Sequence, residues 1–396
     1  MFRRYFLTTV LAIIVYHVLP AQTPANQSAI LSQKLIFPGQ AKHTHGSSIV
    51  ELPNGDKLVA WFQGSGERKS DDVVIMGARL KKGNNEWSKP FLMADTPNLP
   101  DCNPVLFLNQ QGKLFLVWIA VQANEWEQSI LRFRTSTNYS ADGAPKWDWQ
   151  DNILLNPGPG FAEEAATKFK ELPDLHRGWA TYAPSYEDMI LEATKDPKKR
   201  NTGWMTRIKP LQYPNGRIVL PLYSDGFNFS MMAISDDFGT TWRASKPMIG
   251  RGPIQPALVE KKDGTIVAFT RDSGDAPNKV HKSVSKDKGE TWSVTHTIDM
   301  LCVASVEALV LKDGRWVLIV NDLEQHRYKL SMYISTDEGE NWSKKLMLEN
   351  KQPEDGGYSY PSIIQGKDGL LYITYSSLEK GENKSIKYTV VDPKKI

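Results

Sequence analysis

Three segments share one pattern at a fixed interval: Ser235-Asp-Asp237-Phe-Gly239-Thr-Thr-Trp242, Ser285-Lys-Asp287-Lys-Gly289-Glu-Thr-Trp292 and Ser335-Thr-Asp337-Glu-Gly339-Glu-Asn-Trp342. All read S-x-D-x-G-x-x-W, and the copies start 50 residues apart. A period of that length marks an array of supersecondary units stacked side by side. Each position has a physical task. Asp and Ser bond turn amides, Gly permits a positive φ, and Trp packs between neighbouring sheets. A calcium or sugar site at each Asp is the competing reading. The loop recurs where no common ligand is expected, which favours the structural one.

A second pattern keeps the same beat: a strand, a turn carrying Gly, and a second strand. It runs through SSIVELPNGDKLVAWF (47–62), VLFLNQQGKLFLVWI (105–119), LQYPNGRIVLPLYS (211–224), ALVEKKDGTIVAFTR (257–271), ALVLKDGRWVLIVN (308–321) and SIIQGKDGLLYITYS (362–376). Its turn glycines are Gly55, Gly112, Gly216, Gly264, Gly314 and Gly369. Units of this kind, with about four strands each, stack radially. The expected fold is therefore all-β, a six-bladed β-propeller spanning residues 29–396 as one domain. The C-terminal strand Lys384–Asp392 is expected to pair with Ile30–Phe37, closing the ring and hiding two sheet edges. The gap between Gly112 and Gly216 is about twice the others and holds an insertion at about residues 156–199. Its stretches EEAATKFKEL (163–172) and YEDMILEATKDPKK (186–199) read as partly helical.

Composition agrees with short strands and tight turns: 12 Trp, 14 Tyr, 28 Gly and 24 Pro. A hydrophobic share of 40% with 23% charged residues excludes a polytopic membrane protein and wholesale disorder. The net charge of +3 provides no global field for nucleic acid. Residues 1–21 have the order of a signal peptide: Arg3-Arg4, an apolar stretch from Tyr5 to Leu19, then Pro20-Ala21. That stretch is shorter than the roughly 20 residues needed to span a bilayer. The expectation is export, periplasmic or secreted, with no membrane span after cleavage. Cys102 and Cys302 are expected to be buried hydrophobes.

In a propeller the innermost strands line a central channel, so equal offsets before each turn Gly meet at one mouth. Nine positions before the glycines stand Gly46, Asn103, Arg207, Gln255, Ser305 and Tyr360, with His45, Asp101 and Tyr358 one or two positions earlier. Polar groups among apolar flanks cost free energy unless paired, which points to a wet, ligand-binding mouth. Asp71-Asp72 on the loop GERKSDDVVIM (66–76) offer a proton donor if desolvated. Arg271 ends a second strand and Arg327 precedes the third repeat motif. Two arginines at related positions can fork onto one carboxylate. No cofactor is implied, and no metal, because His43 and His45 make at most a two-ligand cluster.

These motifs resemble those of the sialidase superfamily, most of all its BNR-repeat, sialidase-like branch, over nearly the whole mature chain. The resemblance implies an arginine triad for a sugar carboxylate, a Tyr nucleophile assisted by Glu, and an Asp acid/base. Arg271 and Arg327 match two of the triad, Asp71 or Asp72 the acid/base loop, and Tyr358 or Tyr360 the tyrosine strand. Two positions depart. His45-Gly46-Ser47-Ser48 replaces the first arginine, and Gln255 stands where the assisting Glu is expected, with Glu307 a candidate substitute. Gln cannot take a proton from Tyr. The leading expectation is thus an exported carbohydrate-active enzyme acting on anionic, uronate-containing oligosaccharides by β-elimination. His45, Asp71 or Asp72 and Tyr358 or Tyr360 would be catalytic, and Asn103, Arg207, Gln255, Arg271 and Arg327 would bind substrate. An exo-sialidase or related glycoside hydrolase is the alternative. A non-catalytic glycan-binding propeller, with Trp126, Trp179 and Tyr182 stacking on sugars, is the third.

Overall fold

The computed structural model describes residues 27–173, 185–274, 276–379 and 383–396. The expected signal peptide, Trp179 and Tyr182 lie outside the described residues. Six antiparallel sheets follow one another along the chain, and each contributes one blade. Blade 1 is built from His43–Glu51, Lys57–Gly64, Val74–Leu80 and Phe91–Ala94, in that order from the axis outward. Blades 2, 4 and 5 repeat the arrangement, starting from inner strands Asp101–Leu108, Pro253–Glu260 and Glu307–Val310. In blade 3 the inner strand is broken into Met205–Thr206 and Leu211–Gln212, both paired with Ile218–Ser224. Blade 6 takes three strands from the C-terminal end and its outer strand from Ile30–Leu35, which pairs with Asn383–Val391.

Blades stacked face to face bury both sides of their strands, which explains the continuous apolar runs. Leu114–Val121 is buried at every position. Trp61, Trp118 and Trp316, on the second strands of three blades, are almost fully buried. Each such side chain contributes about 2–3 kcal/mol of hydrophobic stabilisation.

The inner strand of each regular blade starts at one end of the ring, and the third strand ends at the other. The repeat motifs therefore sit at the end opposite the mouth. In each, Ser accepts the Gly amide and Asp accepts from the turn: Ser235 Oγ from Gly239 N at 2.8 Å, and Asp237 Oδ1 from Thr241 N at 2.8 Å. Gly289 N to Ser285 Oγ, and Asn341 N to Asp337 Oδ1, repeat the pattern at 2.9 Å. The glycines at φ +92, +92 and +82 approach the neighbouring blade so closely that a Cβ on Gly239 would lie 2.7 Å from Phe115. Trp342 meets Phe269 of the adjoining blade edge-on at 5.6 Å. The carboxylates are spent on the turns, as the structural reading requires.

The insertion forms helices α1 (Gly160–Phe169) and α2 (Tyr186–Lys195), with Ser185 capping α2 by accepting from Asp188 N. Phe161 of α1 packs on Phe227 and Phe229 at 5.6 and 6.0 Å, and Glu187 of α2 pairs with Arg251. The insertion thereby braces the loop that follows the second strand of blade 3.

Candidate active site

Four of the six inner strands carry the same irregularity. Pairing with the second strand slips between His45 and Ser48, Cys102 and Val105, Ile254 and Ala257, and Ser359 and Ser362. Within each slip one residue adopts a left-handed backbone: Gly46 at φ +66, Asn103 at +51, Gln255 at +57 and Tyr360 at +57. A bulge of this kind bends a strand and re-aims its side chains. Here it turns Asn103, Gln255 and Tyr360 into the mouth. At Gly46 a Cβ would lie 2.8 Å from the Phe62 ring, so only glycine fits.

These side chains line a cavity of about 610 Å³ together with His43, His45, Glu67, Trp126, Tyr223, Asp225, Arg271 and Arg327. Two carboxamide–tyrosine pairs cross it. Asn103 Nδ2 donates to the Tyr223 hydroxyl at 3.0 Å, and Gln255 Nε2 donates to the Tyr360 hydroxyl at 3.1 Å. The His45 ring lies 4.1 Å from the Tyr360 ring and edge-on to Phe62 at 5.7 Å. Burial, reinforced by the positive charge of Arg327, holds its imidazole well below the usual histidine range, so it is neutral.

Two carboxyl groups face this basic wall. Burial pushes Glu67 up against the opposing pull of Arg327 and Arg68. Burial likewise raises Asp225 to about 6, against the pull of Arg271. Among the described residues, neither Arg271 nor Arg327 has a hydrogen bond or an ion pair within 4.0 Å for its guanidinium, and Arg271 Nε is buried without a partner. Two underused guanidinium groups in one cavity suit a ligand carboxylate.

Three sequence expectations are corrected. Asp71 and Asp72 are exposed and stand outside the cavity, because Ser65 captures the Asp72 carboxylate through its amide at 3.0 Å and its hydroxyl at 2.6 Å. The same loop presents Glu67 to the mouth instead. Tyr358 packs in the core against Tyr375 and under the Lys387 ammonium, since the residues of a strand alternate in facing and its neighbours face the mouth. Its backbone holds Arg327, accepted by the Arg327 carbonyl at 2.7 Å. Arg207 does not line the cavity. It is 2% exposed beneath the mouth, where the break in the inner strand of blade 3 turns it under the Tyr360 ring at 4.8 Å. His45, Asn103, Gln255, Tyr360, Arg271 and Arg327 do meet in the cavity. Asp225, Glu67 and Tyr223 are among the cavity residues that the offset argument missed. Arg271, Asp225 and Glu67 all lie at or just beyond the end of a second strand, so extending the reasoning used for Arg271 to every blade would have reached them.

Fold and mouth define a six-bladed propeller of the sialidase type. The chain belongs to the BNR repeat-like domain family, whose model matches residues 55–170 and 191–373. No curated protein matches it. Among solved structures it is similar to a Dyadobacter fermentans protein of unknown function, at 17% identity and a TM-score of 0.65, covering 92% of this chain and 98% of the other. It is also similar to a mutant of the NanB sialidase of Streptococcus pneumoniae, at 14% identity and a TM-score of 0.66, covering 96% and 72%. The α-L-arabinanase of Penicillium chrysogenum follows at 14% identity and a TM-score of 0.58, covering 93% and 99%. At these identities the likeness is one of fold.

Proposed function

We propose that this protein is an exported carbohydrate-active enzyme that grips the carboxylate of a uronate-type residue in an acidic oligosaccharide and cleaves the chain by β-elimination. The observation that carries this reading is the Gln255–Tyr360 hydrogen bond. An amide donates to the phenol at 3.1 Å where a nucleophilic tyrosine needs a base. Arg271 and Arg327 neutralise the substrate carboxylate, which acidifies the proton on the adjacent carbon. Neutral His45 accepts that proton, and the electron pair left behind forms the new double bond as the glycosidic oxygen departs. Glu67, whose carboxyl burial pushes up against the pull of Arg327 and Arg68, acts in its protonated form and gives that oxygen its proton. Tyr360 borders the reacting carbons, its hydroxyl oriented by Gln255.

A hydrolase acting on the same acidic end is the second reading, favoured by Glu67 alone, because a raised carboxyl on a mouth loop also suits a glycosidase acid. A panel of uronate-containing oligosaccharides and sialosides separates the two. Elimination yields an unsaturated acid that absorbs in the ultraviolet, with no water gained by mass spectrometry. Hydrolysis gains one water and leaves no absorbance. Saturable binding without either product would leave the protein a glycan-binding propeller. The export step is tested by the N-terminal sequence of the secreted or periplasmic protein, expected near residue 22.

A further inference from the structure

Beneath the mouth two buried charges, Arg207 and Glu307, and the half-buried Lys209 span the channel axis. Arg207 and Lys209 both come from the break in the inner strand of blade 3, one residue apart on the same side, and both reach blade 6 on the opposite side of the ring. Arg207 Nη2 donates to the Pro361 carbonyl at 3.0 Å, and Nη1 to the Ser47 carbonyl of blade 1 at 3.3 Å. Lys209 Nζ donates to Ser362 Oγ at 3.0 Å and to the Ile363 carbonyl at 2.7 Å. Together they grip three consecutive residues directly after Tyr360. Glu307 of blade 5 supplies the compensating charge, its Oε2 3.6 Å from Lys209 Nζ. It is 2% exposed, and burial pushes its carboxyl up while Lys209 and Arg207 pull it down.

Three ionisable groups in a propeller core cost desolvation, and apolar residues of similar size would do as well for stability alone. Tyr360 has a reason to need them. Its left-handed backbone, at φ +57, is unfavourable for a side chain with a Cβ; Asn103 and Gln255 share that backbone, and Tyr360 is set apart because the three residues after it are held from across the channel. We infer that Arg207, Lys209 and Glu307 form a clamp across the channel, and that Lys209 and Glu307, which lie outside the cavity lining, are positioning residues that fix Tyr360 at the mouth. The inference rests on the elimination reading for its kinetic consequence, and on geometry alone for the clamp itself.

Lys209→Met tests both parts. Its crystal structure should show the Tyr360 hydroxyl displaced from Gln255, with which it makes a 3.1 Å contact in the native protein. On an acidic oligosaccharide, kcat should fall by about tenfold or more while KM stays within about twofold, because alignment is lost and the arginines remain. Lys209→Arg should recover most of kcat. A merely structural lysine would lower the melting temperature without this split and without moving Tyr360. A retained Tyr360–Gln255 contact, or an unchanged kcat in the folded variant, overturns the inference. Should Lys209→Met fail to fold, Ser362→Ala removes one grip and no charge, and is expected to shift Tyr360 and kcat in the same direction by less; no shift in either overturns the clamp. If the native protein turns over no acidic oligosaccharide, the elimination reading fails, and the crystallographic arm still decides the clamp.

Discussion

The two ends of the propeller use carboxylates in opposite ways. At the far end Asp337 is held down to about 2 by the amide and side chain of Asn341 and by Ser335. Asp237 and Asp287 are also lowered, because hydrogen bonds from Thr241 and Thr291 outweigh a partial burial that acts the other way. At the mouth Asp225 and Glu67 are pushed up, since burial removes water and, among the described residues, no hydrogen bond of comparable strength replaces it. A carboxylate whose lone pairs are used by its own turn stabilises the fold. One left short of donors in a cavity costs stability and is available to a substrate. The same residue type thus marks architecture at one end and the candidate site at the other.

The sharpest way to break this contrast is at the arginines opposite the mouth carboxyls. Arg271→Ala or Arg327→Ala should cut turnover of an acidic oligosaccharide by about 10²–10³-fold at an unchanged melting temperature, since each is expected to stabilise developing negative charge. Glu67→Gln should cost about 10²-fold. Activity of the native enzyme should decline as pH rises through the raised value of Glu67, because the acid must be protonated, and the Gln variant should lose that alkaline limb. Asp71→Asn and Asp72→Asn should leave kcat and KM as they are. Full activity in Glu67→Gln would return the acid to the exposed pair.

Stability gives a smaller but cleaner contrast. Asp225 titrates near 6 in the fold and near 3.8 when unfolded, so the folded state holds the extra proton between those values and loses stability as pH rises through them. Asp225→Asn should therefore stabilise at pH 7 by up to about 2 kcal/mol and make little difference at pH 3.5, read from paired thermal melts. Asp287→Asn should do the reverse. Its folded value is lowered, so its contribution is complete above the usual carboxylate range and is lost as pH falls through the lowered value. Its solvent exposure keeps the expected loss at neutral pH near 1 kcal/mol, with kinetics unaffected.

The ring was legible in the sequence because repetition writes the same physical demand several times. Six glycine turns gave the blade number, and three S-x-D-x-G-x-x-W loops marked the same radial array. The offset rule placed Asn103, Gln255 and Tyr360 because bulged inner strands recur at the same step. It misplaced Arg207 because blade 3 breaks its strand there, a tertiary event that no spacing announces. Asp72 and Glu67 show a different obstacle. Loop side chains go where local hydrogen bonds leave them, and Ser65, seven residues before Asp72, takes the carboxylate that looked free. Asp225 depends on the helical insertion bracing its loop, and that insertion lies outside the repeat.

The pairing of Ile30–Leu35 with Asn383–Val391 has a consequence for the order of assembly. During synthesis the strand at residue 30 emerges among the first and its partner among the last, so it waits as a bare sheet edge while five blades form. Blade 6 is the last to close, joining the two most distant parts of the ring through contacts of the highest sequence separation, which are slow to form. The mouth is complete only then, since Tyr360 belongs to that blade. Partly made chains thus have no finished mouth, and the cavity and ring closure arrive as one event.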